Sequence, residues 1–250
     1  FPVGSTTVTY TATDAAGNVA TCNFVVTVTE TEFPVIIGCP SDITVSTDPG
    51  VCEAVVSWNT PSATDNCILV SFTSNFVPGD VFPVGTTTVT YTAVDAVGNT
   101  TECSFDVTVV DNVAPVIAGC PGNITANNDA GICGASVTWV APAASDNCAG
   151  GLVLTASHNP GDVFPVGTTT VTYTATDASG NTAVCSFNVV VSDTEVPVLT
   201  NCPADITVSN AFNTCAAPVS WTAPVVTDNC GAVTVTVSHL PGTSFPVGTT

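Results

Sequence analysis

The 250-residue sequence has no lysine, no arginine and no methionine, and only two histidines. Without a basic residue it cannot neutralise phosphates, which excludes nucleic-acid binding. The same absence removes arginine clamps, a phosphate-loop lysine, Schiff-base lysine chemistry and a polybasic membrane patch. Charge of any kind is scarce, at 8% of residues, yet 45% are hydrophobic, so the composition is not that of a disordered chain. No apolar run is long enough to span a bilayer, which argues against membrane insertion, and no signal peptide opens the chain. No stretch keeps helical periodicity over three turns. The first residues, Phe1-Pro2-Val3-Gly4, return near the end as Phe245-Pro246-Val247-Gly248, so the chain reads as a stretch of something longer.

Acid, cysteine and repetition are what remain. There are 20 Asp and Glu, a formal charge of −20, 12 Cys, 18 Pro and 19 Gly. The FPVG motif recurs at Phe1, Phe82, Phe164 and Phe245, at intervals of 81, 82 and 81 residues. The cysteines keep the same beat: Cys22, Cys103 and Cys185; Cys39, Cys120 and Cys202; Cys52, Cys133 and Cys215; and, in an Asp-Asn-Cys context, Cys67, Cys148 and Cys230. The expected domains are 33–113 and 114–195, preceded by the C-terminal part of a domain (1–32) and followed by the N-terminal part of another (196–250).

Within a repeat the pattern is that of strands. From Thr87 to Asp95, Val89, Tyr91 and Ala93 share one face and threonines the other; Thr101 to Val109 alternates likewise through Cys103, Phe105, Val107 and Val109. The turn Asp95-Ala96-Val97-Gly98-Asn99 joins them as a hairpin. Ile43–Val45, Ala54–Trp58 and Leu69–Phe72 read as further short strands, separated by turns at Asp48-Pro49-Gly50 and Pro61-Ser62-Ala63-Thr64-Asp65. Short strands with one tryptophan per complete repeat (Trp58, Trp139) predict an all-β fold of tandem immunoglobulin-like sandwiches, about 82 residues each. Cores that thin need cross-links.

The succession CP-x-x-I-T, C-x-A-x-V-x-W, A-x-D-N-C, PGDVFPVGTTTVTYTA and D-A-x-G-N-x-x-x-C-x-F resembles the HYR (hyalin repeat) domain family along the entire chain. The resemblance implies extracellular modules of immunoglobulin-like fold, associated with adhesion and arranged in tandem in large secreted or surface proteins. Arrays this regular look most like bacterial surface forms.

Four cysteines per repeat allow three pairings, and the sequence does not choose among them. In a sandwich the start of the first strand and of the last lie at one end, and family members with two cysteines keep those two. Both considerations favour Cys39–Cys103 and Cys120–Cys185. That leaves Cys52–Cys67, Cys133–Cys148 and Cys215–Cys230, with Cys22 and Cys202 pairing outside the chain or with an identical subunit. The short pairing carries a tension, because Asn59 to Asn66 must double back along the second strand. Zinc and redox catalysis lack their Cys-x-x-Cys spacing, so disulfides and an oxidising compartment are expected.

The acids cluster. Linkers carry Glu30 and Glu32, Asp111, and Asp193 and Glu195; hairpin turns carry Asp14, Asp95 and Asp177, each with an asparagine four residues on; Asp-Asn-Cys loops carry Asp65, Asp146 and Asp228. With no cation to pair them, Glu30, Glu32, Asp65 and Asp95 at one junction and Asp111, Asp146 and Asp177 at the next are candidate Ca²⁺ ligands. The competing reading is a set of solvated turn residues. Asn99 and Asn123 match the N-glycosylation sequon. His158 and His239 have Asn75 at their position in the first complete repeat, and no catalytic constellation recurs, so an enzyme is not expected. Phe72 and Phe76 are the candidate exposed aromatics, with Phe72 expected to pack inward. The functional expectation is a secreted or cell-surface filament or stalk that associates with itself. The alternatives are an adhesin binding a glycan or protein partner, and a passive spacer.

Overall fold

The computed structural model describes residues 1–249, and every regular element among them is a strand. None of the described residues forms a helix long and apolar enough to cross a membrane. The chain divides into two compact units, Phe1–Val113 and Ala114–Thr250.

The first unit opens with an antiparallel hairpin, β1 (Gly4–Thr13) and β2 (Val19–Val28). A complete repeat follows, with β3 (Val35–Ile37), β4 (Ile43–Ser46), β5 (Glu53–Val55), β6 (Ser62–Thr64), β7 (Leu69–Ser74), β8 (Val81–Pro83), β9 (Gly85–Asp95) and β10 (Thr100–Val110). One sheet has the order β4-β10-β9-β7, with β4 parallel to β10 and the other pairs antiparallel. The pairs β3–β6 and β5–β8 complete the fold.

The core is the inner face of the long hairpin meeting the β5–β8 pair. Val89, Tyr91, Cys103, Phe105, Val107 and Val109 cluster with Ala54, Val56 and Phe82, and the intervening threonines face outward. Trp58 packs edge-on against Phe105 at 5.3 Å and donates its indole N–H to the Tyr91 hydroxyl at 2.9 Å. Such an aromatic pair adds about 0.5–1.5 kcal/mol beyond its buried area. The FPVG motif has a structural cause. Phe82 is fully buried in β8, Pro83 sits in the short β5–β8 pair, and Gly85 adopts φ +119° to turn the chain into β9, a conformation side-chain-bearing residues rarely reach.

The second unit repeats this plan with β11 (Val116–Ala118), β12 (Ile124–Asn127), β13 (Gly134–Ser136), β14 (Ala143–Ser145), β15 (Val153–Ala156), β16 (Val163–Pro165), β17 (Gly167–Thr176) and β18 (Thr182–Ser192). Its main sheet is β12-β18-β17-β15, and Trp139 again donates to Tyr173 at 2.8 Å. The remaining strands form two pairs, β19 (Val198–Thr200) with β21 (Val225–Thr227) and β20 (Ala216–Pro218) with β22 (Ser244–Pro246).

Three expectations are corrected. Pro61 to Asp65 is not simply a turn: Ser62–Thr64 is β6, with Ala63 opposite Ile36. The strand expected from Ala54 to Trp58 keeps regular pairing only to Val55, after which Val56 bonds to the loop at Gly79 and Asp80. The counterpart of His158 is Phe76 rather than Asn75. Asn75 and Ser157 donate their backbone N–H to Thr90 and Thr172, while Phe76 and His158 each lie against the buried phenylalanine, at 5.0 Å from Phe82 and 5.1 Å from Phe164.

Candidate functional site: the two poles of a repeat

A strand as long as β9 spans roughly 33 Å and so separates two poles of the repeat. At the exit pole, where β10 ends, Cys52 accepts the Val84 N–H and Thr47 donates to the Val110 carbonyl. At the entry pole lie the hairpin turn after Asp95 and the loop Asp65-Asn66-Cys67, joined by the Ala96 N–H bond to Ile68.

The entry pole is built by acids that fold their own loops. Asp95 Oδ1 accepts the backbone N–H groups of Val97, Gly98 and Asn99 at 2.7–2.9 Å, and Oδ2 accepts the Asn99 side-chain amide at 2.7 Å. The same amide donates to the Glu32 carbonyl at 2.9 Å, which ties the incoming linker to the turn. Asp177 and Asn181 repeat the clamp in the second unit. Burial opposes the charged form of both carboxylates, but the hydrogen bonds from the turn outweigh it and hold their pKa values below the ordinary 3.8. Asp65 Oδ1 caps Cys67 N at 2.9 Å, and Glu30 accepts from the Cys67 thiol, the Asn66 amide and the backbone of Thr31 and Glu32. Chiefly through that thiol contact, the Cys67 pKa is raised to about 11. Asp111 follows β10 in the first unit and accepts from Val113 N, and Asp146 in the second accepts from Cys148 N.

These turns set an acid limit. Because the folded pKa values of Asp95 and Asp177 are depressed, their stabilisation is complete above the unfolded value of 3.8 and lost as pH falls through the folded values. Denaturant melts are expected to be level down to about pH 4 and to weaken below it. Asp95→Asn should lower stability at neutral pH and flatten that acid limb; an unchanged limb would show that Asp95 does not set it.

The Asn99 side-chain amide that a glycan would need is already shared between Asp95 and Glu32, so modification there would cost one of those two bonds. Asn123 Oδ1 accepts the Asn188 N–H at 2.9 Å, bracing the strand β18.

Eight cysteines are disulfide-bonded and four, Cys22, Cys67, Cys202 and Cys215, are exposed thiols. Cys39 is bonded to Cys103 and Cys120 to Cys185, with Cα separations of 6.0 and 6.1 Å. The expected short pairings are corrected. Cys133 is bonded to Cys230, 97 residues away, and not to Cys148; Cys215 is therefore not bonded to Cys230. Cys52 and Cys148 are both bonded while Cys67 is free, so Cys52–Cys67 does not form either. The cause is the pole separation. The third cysteine lies at the exit pole and the fourth at the entry pole, whereas a disulfide needs Cα atoms within about 7 Å.

In the second unit an exit pole meets the entry pole of the following repeat. The loop from Asp129 to Cys133 presents the Gly131 N–H to both carboxylate oxygens of Glu195, at 2.9 and 3.1 Å, and the Ile132 carbonyl to the Asn229 amide at 3.1 Å. Asn128 Oδ1 accepts the Thr194 N–H at 2.9 Å, anchoring the linker, and the Cys133–Cys230 bond closes the joint. The cysteine periodicity exposed these positions, but the partnership of Glu195 with Gly131 had no signal within one repeat.

The chain matches the HYR domain over residues 1–28, 29–109, 110–191 and 192–250. It is 42% identical over 260 aligned residues to Hyalin of Lytechinus variegatus, with 100% of this chain and 48% of that protein covered. It is 40% identical over 261 residues to Hyalin of Strongylocentrotus purpuratus, with 100% and 22% covered. The chain thus spans less than half the length of these relatives. Among solved structures, the Protocadherin GammaB4 extracellular domain aligns over 81% of this chain and 41% of its own, at 15% identity and a TM-score of 0.30.

Proposed function

We propose that this chain, which belongs to the HYR domain family, serves outside the cell as a structural array, a filament or stalk of head-to-tail sandwich repeats. The observation that carries this reading is the joint in the second unit, where one repeat grips the next through Cys133–Cys230, Glu195 and Asn229. A passive spacer has no need of such a grip. Disulfides at this density belong to an oxidising, extracellular setting, and the partner is the array itself. The repeats are taken as 33–113 and 114–195, with part-repeats at 1–32 and 196–250, within a few residues of the breaks between the family matches. An adhesive role for the aromatics is not favoured, since Phe72 stacks on Tyr91 and Phe76 packs against Phe82. No catalytic role is assigned.

Small-angle scattering of the oxidised and reduced chain tests the array. The oxidised chain should scatter as an extended, stiff particle and reduction should loosen it. Equal flexibility in both states would remove the structural reading.

Calcium at the joints is a finer part of the proposal. Asp95 and Asp177 do not fit as ligands, because their oxygens already serve their own turns. By the same measure Glu30, whose two oxygens take four donors, is set aside, and Glu32, Asp65, Asp111 and Asp146 remain as candidates. In favour stands Asp65 Oδ2, buried without a hydrogen-bond partner among the described residues. A higher Tm in calcium than in chelator is the expected result; an unchanged Tm removes calcium and leaves the array.

A further inference from the structure

We propose that Cys133–Cys230 is one instance of a forward hook, from the third cysteine of a repeat to the fourth of the one after it, and that Cys215 and Cys67 are the two open halves of the same kind of bond. The inference rests on the disulfide pattern and not on the filament reading.

Cys133–Cys230 supplies the geometry, with Cα atoms 4.7 Å apart across the joint. Its loops recur at the two free thiols. Cys230 is held by Asp228 accepting its N–H at 2.8 Å, and Cys67 by Asp65 in the same way at 2.9 Å. Cys133 follows a turn in which Asp129 N–H bonds to the Gly134 carbonyl, and Cys215 follows the matching turn from Ala211 to Ala216. Cys52 and Cys148, the other third and fourth cysteines, are each in a disulfide. Both open halves are exposed, Cys215 at an exit pole and Cys67 at an entry pole.

The partner is therefore another repeat of this kind presenting the complementary cysteine, which a second copy of the chain supplies. The new bond joins Cys215 Sγ of one copy to Cys67 Sγ of the next. The oxidant is a small-molecule disulfide such as oxidised glutathione. One protein thiolate attacks it and releases one small thiol; the second attacks the resulting mixed disulfide and releases the other. The two electrons and two protons leave with those thiols. Glu30 gives up its contact with the Cys67 thiol, and Glu32, in register with Glu195, is the carboxylate placed to accept from the incoming exit-pole loop as Glu195 does from Gly131.

The test uses the 250-residue chain carrying C22S and C202S, which leaves Cys67 and Cys215 as the only free thiols. It is incubated with oxidised glutathione, run on a non-reducing gel, and digested with pepsin at low pH, since the chain offers trypsin no site. The expected result is a ladder of covalent multimers that collapses on reduction, with a Cys133–Cys230 peptide in every rung and a Cys67–Cys215 peptide in all but the monomer. Adding C215S should leave only monomer while the Cys133–Cys230, Cys39–Cys103 and Cys120–Cys185 peptides persist, showing that the fold is intact. Cys133–Cys148 or Cys215–Cys230 peptides would overturn the hook. So would a chain that stays monomeric, or multimers joined Cys67 to Cys67. A chain that stays monomeric, or multimers joined Cys67 to Cys67, would sink the hook and leave the array standing, whereas Cys133–Cys148 peptides would also take away the joint on which the array rests.

Discussion

Removing the Cys39–Cys103 bond by the double substitution C39A/C103A is expected to destabilise its repeat by about 4 kcal/mol. The bond closes a loop with a sequence separation of 64 residues, and chain entropy in the unfolded state scales with the logarithm of that length. Cys103 also packs in the core, only 7% exposed, among Tyr91, Phe105 and Val107. Alanine is the better replacement there, because a serine hydroxyl would need a partner the apolar cluster lacks. Against the roughly 5–15 kcal/mol typical of a domain, such a loss takes the repeat close to its folding limit. Guanidinium unfolding followed by tryptophan fluorescence should gain an early transition for the repeat containing Trp58, while the signal from Trp139 and Trp221 stays unshifted. A shift worth less than about 1 kcal/mol would show that the core, and not the cross-link, carries the repeat.

The parts of the fold that could be read from sequence are those in which a regular pattern outlasts its noise. β9 and β10 each run 11 residues, and strict alternation of Val89, Tyr91 and Ala93 with threonine leaves no other element to assign. β3, β6 and β8 are three residues each, too short to show a period, and all three contain or adjoin proline. The entry pole was also legible in part, since linker, hairpin turn and Asp-Asn-Cys loop do meet there, as Asn99 with Glu32 and Asn66 with Glu30 show. What those acids do was less visible. A carboxylate that binds an ion and one that caps three backbone N–H groups share the same residue and the same spacing, and only Oδ1 of Asp95 in place distinguishes them. The third and fourth cysteines failed differently. Pairing within each repeat leaves Asn59 to Asn66 doubling back along a strand, a tension that matches the pole separation, and for Cys133 the partner lies in the following repeat. A contact 97 residues away has no local signature.

Phe164→Ala should cost about 3–5 kcal/mol, the range for emptying a buried aromatic site that cannot collapse. Phe164 has no exposed surface, and Trp139 at 5.9 Å and His158 at 5.1 Å wall its ring, so truncation leaves a void between groups that other contacts hold in place. Trp139 is held by Tyr173 and Phe187, and cannot swing in without giving up its hydrogen bond. Phe164→Leu refills most of the volume and should cost less than half as much. The consequence reaches the joint through β13. Ala135 is paired directly with Phe164, and Cys133 lies two residues before it, so the register of that short pair aims the sulfur across the joint. Loss of the phenylalanine anchor should therefore lower the yield of the Cys133–Cys230 peptide under oxidation while leaving Cys120–Cys185, on the other side of the core, intact. Calorimetry gives the stability loss and peptide mapping gives the bond yield. A large drop in stability with an undiminished Cys133–Cys230 yield would show that Glu195 and Asn229 alone hold the hook in register, and that the core of a repeat is mechanically separate from its joint.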